Sequence, residues 1–193
     1  MNVMLFSRIV AKSGIGNHIR ELSAELANEG HNVVIVSTTN EQKIESVRNI
    51  QFVLLDNLSL KPTSIPKNIG IIRHIILENK IEVVHCHHRM AALYMRMYNV
   101  FYRVPVVYTL HLAGIPSDFL HKKLTFVGDK AIGVSTSVSE FMIDKLDVPS
   151  EKVVTILNGV DNKKLFPLSE EERIELGTKY FVWGGVYSKI GLL

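Results

Sequence analysis

The chain has 193 residues, of which 47% are hydrophobic and 21% are charged. This balance is typical of a globular protein and excludes an intrinsically disordered chain. The formal net charge of +3 is too small to indicate nucleic-acid binding by itself. A single cysteine, Cys86, excludes an intramolecular disulfide and suits a reducing compartment.

The N-terminus does not have the pattern of a secretory signal. Its apolar run, Val3–Phe6, breaks at Ser7 and Arg8, and no positively charged segment precedes it. No apolar stretch reaches the roughly 18–20 residues that would span a bilayer. We therefore expect a soluble, cytoplasmic domain.

The first half of the chain predicts strands that alternate with helices. Apolar residues follow one another at helical spacing from the loop Ala11–His18 to Gly30, which occupies the position of a C-cap glycine. A segment with two prolines, Lys61–Lys67, is expected to be a loop. The predicted strands are Val3–Phe6, Asn32–Thr38, Gln51–Leu55 and Glu82–Cys86, and a second helix is predicted over Ile65–Ile76.

The second half continues the alternation. A helix is predicted over His88–Tyr102, and a capping box of Ser137 and Glu140 is expected to open the next one. Ser169 and Glu172 form a second capping box. The predicted strands are Val106–Leu110, Ala131–Val134, Lys152–Leu157 and, at the end of the chain, Tyr180–Trp183.

This order predicts an α/β fold, a Rossmann-like, doubly wound and mostly parallel sheet with helices on both faces. The strands are apolar on both sides, which indicates a sheet that is covered twice. Ligands of such sheets lie outside the carboxyl ends of the strands. The sequence places the loop at Gly14 and Gly16, the segment His85–Arg89, His111 and Ser135 at those ends.

The loop Ala11–His18 predicts an anion site, because glycines and a helix N-terminus allow close approach to a phosphate. The dinucleotide fingerprint needs a third glycine, and Ile19 occupies that position. A nicotinamide-binding oxidoreductase would also need an acid near the end of the second strand. Ser37, Thr38 and Thr39 stand there instead.

The run His85-Cys86-His87-His88 invites a metal interpretation, since imidazole and thiolate are zinc ligands. On a strand, His85 and His87 face one way while Cys86 and His88 face the other, so the four cannot converge. Contact with a polar substrate and plain packing remain the alternatives, and no metal is expected. Cys86 is a poor nucleophile candidate, because an apolar strand disfavours its thiolate.

His111 ends a buried strand, which moves it toward the ligand crevice, where an imidazole can donate a proton to a phosphate or a leaving oxygen. A core histidine bonded to the backbone is the alternative. His18, in the first turn of the loop helix, is expected either to line the same crevice or to lie on the surface. No GxSxG elbow is present, and no Walker lysine follows the glycines.

Arg89, Arg96 and Arg103 follow one another at seven-residue spacing, which predicts one basic stripe on a helix. From Val83 to Val127 there are five Lys or Arg residues and one acid, Asp118. Such an asymmetry fits an acidic acceptor or peripheral contact with an anionic membrane on its inner face, and a solvated helix flank is the alternative. Nucleic acid is disfavoured because no reader motif accompanies the charge.

Together these pieces resemble the N-terminal domain of the GT-B glycosyltransferases of family 4. The order and spacing of several short motifs carry the resemblance over roughly residues 1 to 167. They are Gly14-Ile-Gly16-Asn-His18, Glu21 to His31, Val83-Val-His85-Cys-His87, Pro105 to His111, Gly133-Val-Ser135 and Ile156 to Asp161 with Phe166-Pro167.

The resemblance implies a retaining transferase that moves a sugar from a nucleotide-sugar donor to a glycan, lipid-linked or other acceptor, without a metal cofactor. His111 matches the strand-end histidine that contacts the transferred sugar. Gly14, Gly16 and Ser135 would meet the donor phosphates. His18, His87 and Arg89 would line the acceptor side.

The family also has a second Rossmann-like domain that binds the nucleotide. Residues 1–167 correspond to the N-terminal, acceptor-side domain, and residues 168–193 to a linker and the first strand of an incomplete C-terminal domain, with Gly184, Gly185 and Lys189 as its remnants. We therefore expect a truncated transferase that is inactive alone or needs a partner chain supplying the other half. The alternative is a non-catalytic acceptor-binding or scaffold subunit of a separate catalytic chain.

Overall fold

The computed structural model describes residues 1–159 and 169–174. The chain divides into two compact units, Met1–Leu157 and Asn158–Leu193. The predicted strand Tyr180–Trp183 and the remnants Gly184, Gly185 and Lys189 lie outside the described residues.

The first unit contains seven strands, five helices and one short 3-10 turn at Ser150–Lys152. The strands are β1 (Asn2–Phe6), β2 (Asn32–Ser37), β3 (Ile50–Leu54), β4 (Val83–Cys86), β5 (Val106–Leu110), β6 (Lys130–Gly133) and β7 (Val153–Thr155). The helices are α1 (Gly14–Asn28), α2 (Ser64–Glu78), α3 (Arg89–Phe101), α4 (Phe119–Leu124) and α5 (Thr136–Asp144).

The strands form one sheet in the order β3-β2-β1-β4-β5-β6-β7, and every neighbouring pair is parallel. β1 lies between β2 and β4, so the chain first winds toward β3 and then returns to continue on the other side of β1. The gap between β1 and β4 is therefore the topological switch point, where sheets of this kind bind ligands. The Rossmann-like, doubly wound α/β prediction is confirmed.

Alternate residues of β1 enter two separate cores. Val3 and Leu5 pack with Ile19 of α1 on one face of the sheet. Met4 and Phe6 belong to the larger core on the other face, which also takes in buried side chains of α2, α3 and α5. Helices thus cover both faces, as the apolar strands predicted.

Two predicted helix signals are confirmed. Gly30 follows the end of α1 with a φ of 82°, a left-handed conformation that glycine adopts at little cost. In the second unit, Ser169 and Glu172 form a reciprocal capping box. The Ser169 amide donates to a Glu172 carboxylate oxygen at 2.8 Å, and the Glu172 amide donates to the Ser169 hydroxyl at 3.2 Å.

Three local predictions were wrong. The segment Lys61–Lys67 is not all loop, because α2 begins at Ser64 and Pro66 lies in its first turn, where no intrahelical donor is lost. The cap of α5 is Ser135 rather than Ser137, since the Ser135 hydroxyl accepts from the Val138 amide at 3.2 Å. α3 ends at Phe101, so Arg103 lies beyond the helix and the predicted three-arginine stripe is broken.

Candidate functional site

The loop between β1 and α1 ends in a capped helix N-terminus. Ser13 is the N-cap, and its hydroxyl accepts from the Gly16 amide at 3.4 Å. The first-turn amides of Gly14 and Ile15 have no intrahelical acceptor, as at every helix start. This end of α1 can therefore offer backbone donors and the positive end of its dipole to an anion.

The two glycines of this loop lie in different surroundings. A Cβ added to Gly14 would meet no heavy atom within 4 Å, so this residue faces open space. A Cβ added to Gly16 would overlap the Ala11 carbonyl oxygen and lie 3.0 Å from the Gln42 side-chain nitrogen. Gly16 therefore allows the helix to pack against its own loop, and Gly14 is the glycine that a ligand can approach.

Hydroxyl groups at the end of β2 hold the β1–α1 loop. The Ser37 and Thr38 side chains both donate to the Arg8 carbonyl oxygen, at 3.1 and 2.7 Å, and Thr39 accepts from the Val10 amide at 3.1 Å. These hydroxyl groups therefore hold the loop at the position where a dinucleotide-binding fold carries an acid.

Three histidines from three elements meet at the switch point. His18 comes from the start of α1, His87 follows β4, and His111 follows β5. Nδ1 of His87 and Nε2 of His111 form a hydrogen bond of 3.2 Å, and the His18 ring lies 5.4 and 5.0 Å from those two rings. The His87 amide donates to the Phe6 carbonyl oxygen at 2.9 Å, which ties this cluster to β1. We call these residues the histidine cluster.

The predicted alternation is confirmed for His85, Cys86 and His87. The His85 ring lies 4.1 Å from the His87 ring and bonds to the Thr109 hydroxyl at 2.7 Å, on the face that carries α1. Cys86 is fully buried in the opposite core, where burial raises the pKa of its thiol and removes it as a nucleophile. His88 caps α3 by accepting from the Met90 amide at 3.1 Å.

Burial keeps the imidazoles of this region neutral. Burial, reinforced by nearby histidines, lowers the pKa of His85 to about 3 and that of His111 to about 4. His87 is 2% exposed, and burial holds its pKa well below the usual 6.5. Burial also lowers the pKa of His18, against the opposing effect of Glu21. Each neutral ring has one donor and one acceptor nitrogen, and bonds within the protein use one nitrogen each of His85, His87 and His111.

The histidine cluster also has a geometry that a metal could use. One nitrogen from each of His18, His87 and His111 lies within 4.8 Å of the others, and within the described parts of the chain these are the three residues that come together in this way. Nε2 of His87 is buried with no hydrogen-bond partner among the described residues. The expectation that the site works without a metal stays a prediction.

A family model decides which proteins this chain is related to. The model of Glycosyltransferase Family 4 matches residues 12–164, most of the chain. The chain belongs to this family. No curated protein sequence shows significant similarity to it.

Solved glycosyltransferases share the fold of this family 4 chain. A glycosyltransferase from Rickettsia africae is 21% identical with a TM-score of 0.73, covering 96% of this chain and 50% of its own. HepE from Anabaena, solved with UDP, is 13% identical with a TM-score of 0.73, covering 94% and 50%. The sucrose-phosphate synthase of Thermosynechococcus elongatus is 13% identical with a TM-score of 0.69, covering 92% and 53%. The family 4 chain thus spans about half the length of these proteins.

Two cations lie near His88, the residue that follows His87 of the histidine cluster in this family 4 chain. Arg8 lies two residues after the end of β1 and is exposed, and Arg89 begins α3 and donates to the Pro116 carbonyl oxygen at 3.0 Å. Arg8 and Arg89 follow the ends of β1 and β4, which are neighbouring parallel strands, so both lie at the same edge of the sheet. Burial lowers the pKa of His88, and the charges of the two arginines lower it further. Arg89 was expected from the sequence and Arg8 was not, although a cation two residues after the first strand was its signal.

Ser135 lies at the end of β6, two strands beyond β4. Its hydroxyl caps α5 and also bonds to the Ser137 hydroxyl at 3.0 Å. The structure thus brings His18, His87 and His111 together, places Gly14 and Arg89 at the same edge, and gives Gly16 and Ser135 roles within the protein itself. No helix in the described ranges has the length and apolar character needed to cross a membrane.

Proposed function

We propose that this chain is the N-terminal, acceptor-side half of a retaining glycosyltransferase that uses a nucleotide-sugar donor and a glycan, lipid-linked or other acceptor. The observation that carries the proposal is the histidine cluster at the switch point between β1 and β4. That position is where a sheet of this kind receives its ligand. Membership of the family supplies the class of reaction.

His111 is the residue that we assign to the transferred sugar. Its ring is partly accessible at the end of β5, and Nε2 already bonds to His87 at 3.2 Å. The bond to the buried His87 therefore orients the His111 ring and couples the tautomers of the two rings, because one nitrogen must donate and the other accept. A neutral His111 can exchange hydrogen bonds with sugar hydroxyls, and no metal is needed for this contact.

The acceptor and the donor phosphates are assigned to the groups that surround His111. Gly14 and the first-turn amides of α1 face the phosphates, with Arg8 as an additional cation. His18 and Arg89 line the acceptor side. HepE binds UDP and UDP-glucose in the structures solved with them, which supports a uridine diphosphate sugar as the first donor to test.

A single Rossmann-like half forms one wall of such a cleft. Without the opposite wall, water is not excluded and the leaving diphosphate has no surrounding donors, so stabilisation of the transition state is weak. We therefore propose that residues 1–167 need a nucleotide-binding half for turnover, either within a longer chain or from a partner.

The 193-residue chain alone is expected to release no UDP from UDP-glucose above the background of buffer, with or without a glycan acceptor. The measurement is a coupled UDP-release assay on the chain and on its His111→Ala variant at matched concentration. Release by the chain that disappears in the variant would overturn the proposed inactivity while supporting the role of His111. Equal release by both would indicate contamination.

A further inference from the structure

An apolar groove of about 480 Å³ lies between α2 and α3, on the side of the sheet away from α1. Ile69 and Arg73 of α2 and Met97, Phe101 and Tyr102 at the end of α3 are among its lining residues. It is separate from the histidine cluster, whose residues come from α1 and from the ends of β4 and β5. The proposed transfer reaction does not use it.

The rim of this groove exposes side chains that a soluble domain normally buries. Phe101 is 78% exposed, Val100 is 70% exposed and Tyr102 is 38% exposed, and all three line the groove. Single exposed apolar residues are ordinary, but three large ones beside an apolar groove form a patch that marks an interaction surface.

Arginines frame the same patch. The Arg73 guanidinium lies 4.9 Å from the centre of the Tyr102 ring, which keeps the cation at the level of the groove. Arg96 is one helical turn before Val100 on α3, and Arg103 follows Tyr102 directly. The arginines of this surface are therefore Arg73, Arg96 and Arg103, and the predicted stripe is corrected. Arg89 lies at the other end of α3, where it bonds to the Pro116 carbonyl oxygen.

The two helices that form the patch carry little negative charge, because Glu78 is the one acid of α2. α3 contains no Asp or Glu. Glu78 of α2 lies 3.2 Å from His74, and Asp56 before α2 lies 2.9 Å from Lys67. We call the surface formed by Arg73, Arg96, Val100, Phe101, Tyr102 and Arg103 the α2–α3 patch.

We propose that the α2–α3 patch docks the protein on an anionic membrane surface. Aromatic and aliphatic side chains at the rim would enter the boundary between headgroups and acyl chains, while the arginines meet anionic headgroups. A second copy fits this surface poorly. A two-fold contact through the same patch would bring Arg73 and Arg96 of one copy against those of the other. This inference is independent of the proposed transfer reaction.

Vesicle co-sedimentation tests the docking surface on the 193-residue chain. We expect binding to vesicles of phosphatidylcholine with about 30% phosphatidylglycerol, and at least about tenfold weaker binding to phosphatidylcholine alone. Arg73→Glu/Arg96→Glu and Val100→Ser/Phe101→Ser are each expected to weaken binding to the anionic vesicles at least about tenfold. The matched control is Arg20→Glu/Lys145→Glu, which makes the same change in net charge at exposed positions of α1 and next to α5.

The outcomes separate the possible occupants of the patch. Binding that falls in both patch variants and persists in the control supports the membrane. Equal losses in the patch and control variants would show that only net charge matters and would overturn the proposal. Concentration-dependent dimers that are lost in Val100→Ser/Phe101→Ser, without vesicle binding by the parent chain, would assign the patch to a second copy. Circular dichroism of each variant verifies that it is folded.

Discussion

Replacing Gly16 with alanine is expected to lower the free energy of unfolding by about 2 kcal/mol, within the usual cost of overpacking a well-packed site. The new Cβ would overlap the Ala11 carbonyl oxygen, which is backbone and cannot rotate away. Relief requires the start of α1 to move from the loop that Ser37 and Thr38 hold in place. Gly16 is also buried, so the added methyl group cannot turn toward solvent.

Gly14 supplies the matched control, because it lies two residues away at the same helix start. A Cβ there meets open space, and alanine is a better helix former than glycine by up to about 1 kcal/mol. Gly14→Ala is therefore expected to leave stability unchanged or to raise it slightly. Urea unfolding followed by circular dichroism measures both variants. Equal stabilities for the two would contradict the close packing of Gly16 on Ala11.

The protein is expected to lose stability steeply as the pH falls below 6.5. The pKa of His85 is lowered to about 3 by burial and nearby histidines, and burial likewise lowers that of His87. In the unfolded chain both rings regain the ordinary pKa of 6.5. Between the lowered pKa values of the folded state and this ordinary value, the unfolded state binds more protons than the folded state. Stability therefore rises with pH in this window and is lost on acidification, by roughly 1.4 kcal/mol per pH unit for each buried histidine.

Urea unfolding at intervals between pH 6.5 and 4.5 measures this slope. His85→Gln keeps a hydrogen-bonding side chain near Thr109 and is expected to reduce the slope by the contribution of one histidine. His74→Gln, at an exposed position of α2, is the control and should change the slope by less than half of that amount. A flat dependence in the parent chain would contradict the buried, neutral state of the histidines.

The sequence predicted the layout of the molecule because the hydrophobic pattern and the turn residues agree with each other. Continuous apolar runs indicated a parallel sheet covered on both faces, and strand ends indicated where polar groups gather. From that map alone, His87 and His111 were expected at one edge of the sheet, and the structure joins them by a hydrogen bond. The family motifs added the reaction class, and the family model confirmed the family.

Features that depend on contacts between distant segments were not predictable in this way. The steric role of Gly16 arises from Ala11 and Gln42, and the loop-holding role of Ser37 and Thr38 depends on the path of the chain at Arg8. Neither leaves a periodic signal. The prediction of an arginine stripe was wrong for a local reason. It continued the helical spacing to Arg103, but Tyr102 adopts an extended backbone and α3 has already ended.

Binding of substrate at the histidine cluster is tested most directly by amide mapping. The ¹⁵N-labelled 193-residue chain is titrated with UDP-glucose at millimolar concentration in EDTA, as one half of a cleft binds weakly. We predict shift changes that concentrate on the amides of Gly14, His87 and His111. Changes confined to other surfaces, such as the polar cleft that Asn2, Asn32 and Asn79 line at the amino ends of the strands, would contradict binding at the histidine cluster.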